Sequence, residues 1–189
     1  MLHNAIAFLA DQVDSYIKTR TGGTQSVVDT GGLATEDGKW ALEANIRLAL
    51  VGVEEERTLR EQLPESVYID GSRVTLEPPI KLNLVVVFAA KANRNYADNL
   101  RYLSYVMTFF QAHPAFTPEE FPSLDPAIER LAPEMLSYGP EQLNQMWAYI
   151  GTKYLPSVAY RVRMVVLQDV TPRGVGKPIT TIHGALHGL

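Results

Sequence analysis

The sequence contains no cysteine in 189 residues. That removes thiolate nucleophiles, cysteine-bound zinc and disulfide scaffolding, and it fits a protein made in a reducing cytoplasm. An excess of basic charge is also missing. Lys and Arg number 17 against 21 Asp and Glu, a net charge of −4, so the chain lacks the electrostatic footprint of a nucleic-acid binder. No apolar run approaches the roughly 18 residues of a membrane span. The N-terminal stretch Met1–Ala10 is apolar, but it has no basic region before it, and Asp11, Gln12 and Asp14 interrupt it. A secretory signal is therefore not expected.

Catalytic and phosphate-binding motifs are missing as well. There is no G-x-S-x-G, and the pairs Gly22-Gly23 and Gly31-Gly32 have neither the dinucleotide nor the Walker spacing. Gly174-Val-Gly-Lys177 resembles the end of a phosphate loop but is followed by Pro178 where a hydroxyl residue is needed. His183 and His187 have the i, i+4 spacing of a helical zinc pair, but the glutamate of H-E-x-x-H is missing and Gly184 and Gly188 disfavour a helix. These absences leave no expected catalytic, cofactor or metal residue.

What is present reads as one ordinary globular domain, 46% hydrophobic and 20% charged. A chain of this length can bury a core by itself. Residues 2–20 form an amphipathic helix with the seam Leu2, Ile6, Leu9, Val13, Tyr16 and Ile17, closed by Gly22. Its polar side carries Asp rather than Lys, which favours core packing over a membrane surface. Residues 21–39 read as a hairpin region with a short Val27-Val28 strand and an Asp37-Gly38 turn. A long strand is expected from Trp40 to Glu56, with Ile46, Leu48 and Leu50 on one face and Asn45, Arg47 and Ala49 on the other. A small hairpin is expected around Asp70-Gly71, and a central strand over Ile80–Ala90, where Leu82, Leu84, Val86 and Phe88 line one face.

The helix at Tyr96–Gln111 is apolar over two stripes, Leu100/Leu103/Met107/Phe110 and Tyr102/Tyr105/Phe109. A helix apolar nearly all round is buried or covered by a partner. Pro114, Pro118, Pro122 and Pro126 mark a loop, and Pro133 relegates Ile128–Tyr138 to an edge strand. Then come a helix begun by Pro140, with Leu143, Met146, Trp147 and Ile150 on one stripe, a Gly151 cap, and a strand over Val158–Leu167. On that strand Val158, Tyr160, Val162, Met164 and Val166 share a face, with Arg161 and Arg163 on the other. Residues 1–168 therefore make the domain and 169–189 a tail, extended or contacting a partner.

The charged residues read as contacts rather than chemistry. Of the cluster Glu54, Glu55, Glu56 and Arg57, only Glu54 and Glu56 share a strand face, and no histidine or aspartate accompanies them. A solvated strand end or a subunit contact is the plainer reading. Arg161 and Arg163 can bind phosphate, pair with the glutamates across strands, or meet acids of another subunit; a cross-strand or intersubunit pair is preferred.

Several of these segments together resemble a known family. They are Leu2-His-Asn-Ala-Ile-Ala-Phe-Leu9; Leu50-Val-Gly-Val-Glu-Glu-Glu-Arg-Thr-Leu59; Pro79-Ile-Lys-Leu-Asn-Leu84 with Phe88-Ala-Ala90; Leu103-Ser-Tyr-Val106 with Phe109-Phe-Gln111; and Gly151-Thr-Lys-Tyr-Leu-Pro-Ser-Val158 with Tyr160-Arg-Val-Arg-Met164. The chain resembles the tail-tube terminator, or cap, of extracellular contractile injection systems of the antifeeding-prophage and virulence-cassette type. It departs from that pattern at Gly52, where Asn is expected, and at Pro133.

The resemblance implies an α+β fold like that of phage tail terminators, a mixed and mainly antiparallel sheet with helices packed on it. It implies a structural protein rather than an enzyme, a homohexameric ring that caps the inner tube and helps terminate the sheath. Its partners would be further copies of itself, the tube protein and the sheath protein, with no nucleic acid, membrane or cofactor. Synthesis and assembly would be cytoplasmic, with the product part of a phage tail-like particle. The competing readings are an adaptor elsewhere in the same particle and a small soluble enzyme. A closed ring needs two different patches meeting head to tail. One is placed on Tyr102, Tyr105 and Phe109; the other on Arg161 and Arg163 with the Glu54–Arg57 strand end.

Overall fold

The elements follow one another as α1 (Leu2–Thr21), β1 (Val28–Thr30), β2 (Ile46–Glu55), β3 (Glu65–Ile69), β4 (Ser72–Leu76), β5 (Lys81–Ala90), α2 (Tyr96–Ala112), β6 (Ile128–Leu136), α3 (Pro140–Ile150), β7 (Ser157–Val166) and β8 (Val175–Gly176). This computed structural model describes residues 1–56, 65–69, 72–76, 81–91, 95–166 and 175–176. Five strands form the main sheet in the order β1-β2-β5-β7-β6, and β3, β4 and β8 form a smaller one. In the main sheet only the β1–β2 pair is parallel. The architecture is α+β, as the sequence led us to expect, and the β3–β4 hairpin stands where the turn residues placed it. The pairing of β4 with β8, inside the expected tail, had no signal in the sequence.

The two faces of the main sheet are covered unequally. On one face Ile46, Leu48, Leu84, Val86, Phe88, Tyr160, Val162 and Met164 are buried with the apolar seams of α1 and α2. Aromatic rings fill the middle: Phe110 lies 4.6 Å from Tyr160 and 5.6 Å from Phe88 between centroids. In α1 the seam residues Ile6, Leu9, Val13 and Ile17 are all buried, and Leu2 and Tyr16 flank them. Gly22 closes the helix at φ 69°, donating its N–H to Lys18 O; glycine takes this left-handed conformation without a Cβ clash. On the opposite face Ala49, Val87, Ala89 and Ala159 lie under Trp147 of α3, with Leu33, Leu42 and Leu155 completing the cluster.

Two expectations need correction. The strand expected from Trp40 begins only at Ile46, because residues 34–40 close a tight turn in which Gly38 N–H donates to Thr35 O. The strand at Val28 does not enter a hairpin but runs parallel to β2. Side-chain charge fixes it there. Asp14 of α1 accepts the N–H groups of Val27 and Val28 at 2.7 and 2.9 Å, and Arg47 Nε donates to Asp29 Oδ1 at 2.9 Å from the neighbouring strand. Leu50 keeps the register of Ile46 and Leu48, opposite Val86, and so shares their face as expected, although it is 38% exposed. A register shift between Leu50 and Gly52 breaks the alternation there, which gives the departure at Gly52 a location: the β-bulge of β2. The departure at Pro133 falls on β6, an outer strand of the main sheet, where a missing N–H is tolerated.

Two measurements follow from this core. Phe88 is fully buried, so Phe88→Ala is expected to lower unfolding free energy by about 3–5 kcal/mol in urea titrations. Burial pushes the Asp29 carboxyl up, but hydrogen bonds from Arg47 and the Ala44 N–H outweigh it and hold the group below its usual 3.8. A lowered folded-state pKa gives stability that is complete above the unfolded value and disappears as pH falls through the folded one. Between about pH 5 and pH 2.5 the wild type should therefore lose more stability than Asp29→Asn. Parallel losses in the two proteins would contradict this assignment.

Candidate interaction surfaces

The uncovered part of the second sheet face is polar, and the strand register shows how it is built. Gly52, Val85, Arg161 and Glu134 form one row across four strands; Glu54, Asn83, Arg163 and Ala132 form the next. Arg163 Nη2 meets Glu134 Oε2 at 3.0 Å, and Asn83 Nδ2 donates to Glu56 Oε2 at 2.9 Å. Both side chains of the ion pair are more than half exposed, so the pair contributes little to stability by itself. Arg161 forms no ion pair among the described residues. Its Nε is covered and has no hydrogen-bond partner, and the same holds for Oδ1 of Asn83, a residue 8% exposed.

This arrangement revises the expected pairing. Arginines and glutamates were expected to meet across neighbouring strands, but β5 lies between β2 and β7. The carboxylate that reaches Arg163 comes from Glu134 on the other neighbour, β6. Glu134 escaped notice because strand order cannot be read from alternation. Glu55 is the register partner of Leu82, on the helix-covered face, whereas Glu54 lies in the Asn83 row. Arg57, His183, His187 and Lys177 lie outside the described residues.

The second helix also needs correction. Phe109 is only 3% exposed and stands within ring contact of Tyr16, Phe110, His113 and Phe116, so it belongs to the core and not to an outer patch. Tyr102 and Tyr105 flank that core, partly buried. The outward apolar residues of α2 are instead Tyr96, Leu100 and Met107. The core face, Leu103, Val106, Phe109 and Phe110, takes members of both expected stripes. Two apolar stripes on one helix cannot reveal which direction the sheet lies.

A third surface surrounds α3. Trp40 Nε1 donates to Lys153 O at 2.9 Å and Thr152 Oγ1 to Gly38 O at 3.2 Å, so the turn at Gly38 docks on the connection after α3. Tyr149, Tyr154 and Trp40 stand out from it into solvent. A groove of about 460 Å³ runs beside the helix between Leu143, Trp147 and Tyr154. Among the described residues no group of three or more His, Cys, Asp or Glu is placed to hold a metal ion, and no helix is long and apolar enough to cross a membrane.

The profile of the Pvc16 N-terminal domain matches residues 5–181. The chain belongs to that family. A search of curated protein sequences finds no match. Among solved structures, the sheath/tube terminator of an extracellular contractile injection system (PVC), in its extended state, superposes with a TM-score of 0.59 at 14% identity. The cap of the anti-feeding prophage, a tube-terminating cap, superposes with a TM-score of 0.61 at 10% identity. These matches cover 95% and 93% of this chain but only 63% and 59% of the two neighbours. This Pvc16-type domain shares its α+β fold with both.

The placement of α2 gives a direct check. Phe109→Ala is expected to cost about 3–5 kcal/mol in denaturant unfolding, and Met107→Ala no more than about 0.5–1 kcal/mol. Similar effects from both would mean that α2 is turned differently on the sheet.

Proposed function

We propose that this domain is a structural subunit of a contractile injection system, terminating its inner tube as part of a hexameric ring. The observation that carries the reading is membership of the Pvc16 N-terminal domain family, together with a fold shared over nearly the whole chain with two terminators. The tube protein and the sheath protein are the partners this role requires. The particle would be assembled in the cytoplasm, and sheath termination would accompany tube capping. Because both neighbours are longer chains, each of these partners and steps is part of the proposal.

The distribution of surfaces supports a ring. Closed rings larger than dimers need head-to-tail contacts between two unlike patches of one chain. Here the outer side of α2 lies on one side of the sheet, and the polar rows of Arg161, Arg163 and Glu54 lie on the other. In this reading Tyr96, Leu100 and Met107, flanked by Tyr102 and Tyr105, supply the apolar area on the helix side. Apolar burial supplies most of the association energy, and the charges fix the register.

Light scattering on the purified protein, with negative-stain images of the peak fraction, tests the ring. A hexamer mass with annular particles is the expected result. Leu100→Glu combined with Met107→Glu should reduce that mass without unfolding the subunit, as judged by circular dichroism. Mixed with purified tube protein, the wild type should yield capped tubes of limited length. Tubes that grow unchecked in its presence would reject the terminator role.

A further inference from the structure

The main sheet has two outer edges, and they differ. On β6 the outward backbone groups fall at Leu131, Pro133 and Met135. Leu131 is engaged in both directions, donating its N–H to Phe116 O at 3.0 Å and accepting the Phe116 N–H at 2.8 Å. Pro133 has no N–H to offer, which closes an edge to a further strand. On β2 the edge is open beyond β1. Ile46 N–H donates to Val27 O and Leu48 O accepts the N–H of Gly31, so alternate residues turn their backbone groups outward. Leu50 is the next in that series. Past the bulge Glu56 N–H donates inward to Lys81 O, and counting back from it turns Val53 outward again. Because β1 ends at Thr30, opposite Leu48, no strand among the described residues pairs with Leu50 or Val53 from outside.

We propose that the β2 edge from Leu50 to Glu54 accepts an added strand: an extended segment of a partner polypeptide, apolar at alternate residues and carrying Lys or Arg beside Glu54. The side chains on both faces of the edge fit such a segment. Leu50 and Val53 stand opposite Val86 and Leu84, so the bulge brings both to the helix-covered face, where they are 38% and 45% exposed. On the other face a hollow of about 220 Å³ opens between Ala34, Val51 and Tyr149. An added strand points its side chains to the two faces in turn. One set covers Leu50 and Val53, and the other enters the hollow. In contacts of this kind the backbone hydrogen bonds supply affinity and the alternate side-chain sites supply selectivity. Charge sets the remaining requirement. Exposed sheet edges are commonly guarded by Lys, but no Lys or Arg stands between Leu50 and Glu56, and Glu54 is exposed at the far end. A cation on the incoming strand is therefore favoured there and a carboxylate disfavoured. The site does not depend on how many copies the assembly contains.

Selection from a display library of random linear peptides on the purified protein tests the site. Selected sequences should share apolar residues at alternate positions with a Lys or Arg toward one end. A synthetic copy of the strongest should bind Val53→Pro about tenfold or more weakly than wild type, because the outward N–H is lost while the pairing of β2 with β5 is kept. Glu54→Lys should also weaken it, and its binding to the wild type should slow amide exchange at Leu50 and Val53. Failure to enrich such peptides, equal binding by Val53→Pro, or protection that falls elsewhere each overturns the inference. If thermal melts show Val53→Pro unfolded, Val53→Lys takes its place with the same expected loss, since it keeps the backbone and repels a cationic strand. In light scattering the assembly mass of Val53→Pro should match the wild type. A lower mass would put this edge between copies and overturn the inference, whereas a wild type that forms no ring would reject the ring reading alone.

Discussion

The structure depends on a central strand that is apolar on both sides. In β5, Leu84, Val86 and Phe88 need cover on one face and Val87 and Ala89 on the other. No single layer of helices satisfies both demands, so the fold needs helices above and below the sheet. The long α1 and α2 cover the first face over its full length. On the second face the only helix among the described residues is α3, beside Leu33 and Leu42, and its 11 residues extend roughly 16 Å at 1.5 Å per residue. The ten-residue strands β5 and β7 extend roughly twice as far. Among the described residues, part of the second face is therefore left without a helix. There Glu54, Asn83, Arg161, Arg163 and Glu134 stand among the smaller Gly52, Val85 and Ala132.

The same unequal cover explains where charge is buried and where it is spent on contacts. Where the sheet is covered, on either face, charged groups are locally satisfied. Asp14 holds the start of β1 through two N–H groups and the Lys18 ammonium, and Asp29 holds it through Arg47. These bonds give a three-residue strand a fixed partner that its length alone would not secure. On the uncovered part, satisfaction is incomplete: Arg163 finds Glu134, but one nitrogen of Arg161 and one oxygen of Asn83 find nothing.

The proposed role of terminating a polymer calls for a stable scaffold and several distinct surfaces. The scaffold here is an aromatic core between sheet and helices. The surfaces are the outer side of α2, the polar sheet rows and the aromatic rim around α3, where Tyr149 is 81% exposed. Three surfaces on different sides of one subunit suit two ring neighbours and a tube or sheath partner.

The sequence by itself determined the helices, most of the strands and much of the core. Heptad-like seams such as Ile6/Leu9/Val13/Ile17 and alternation such as Val158/Tyr160/Val162/Met164 are local patterns that one element reports about itself. It also determined the ends: Gly22 and Gly151 cap their helices at φ 69° and 80°, and Pro133 falls on an outer strand. Only the tertiary structure decided which stripe of α2 turns inward, placing Phe109 in the core and Met107 in solvent. It alone set strand order, and so gave Arg163 to Glu134 rather than to Glu54. It alone joined Trp40 to Lys153, 113 residues apart. Periodicity encodes that a face is apolar; what covers it, and which charge stands opposite, depends on segments far away in the chain.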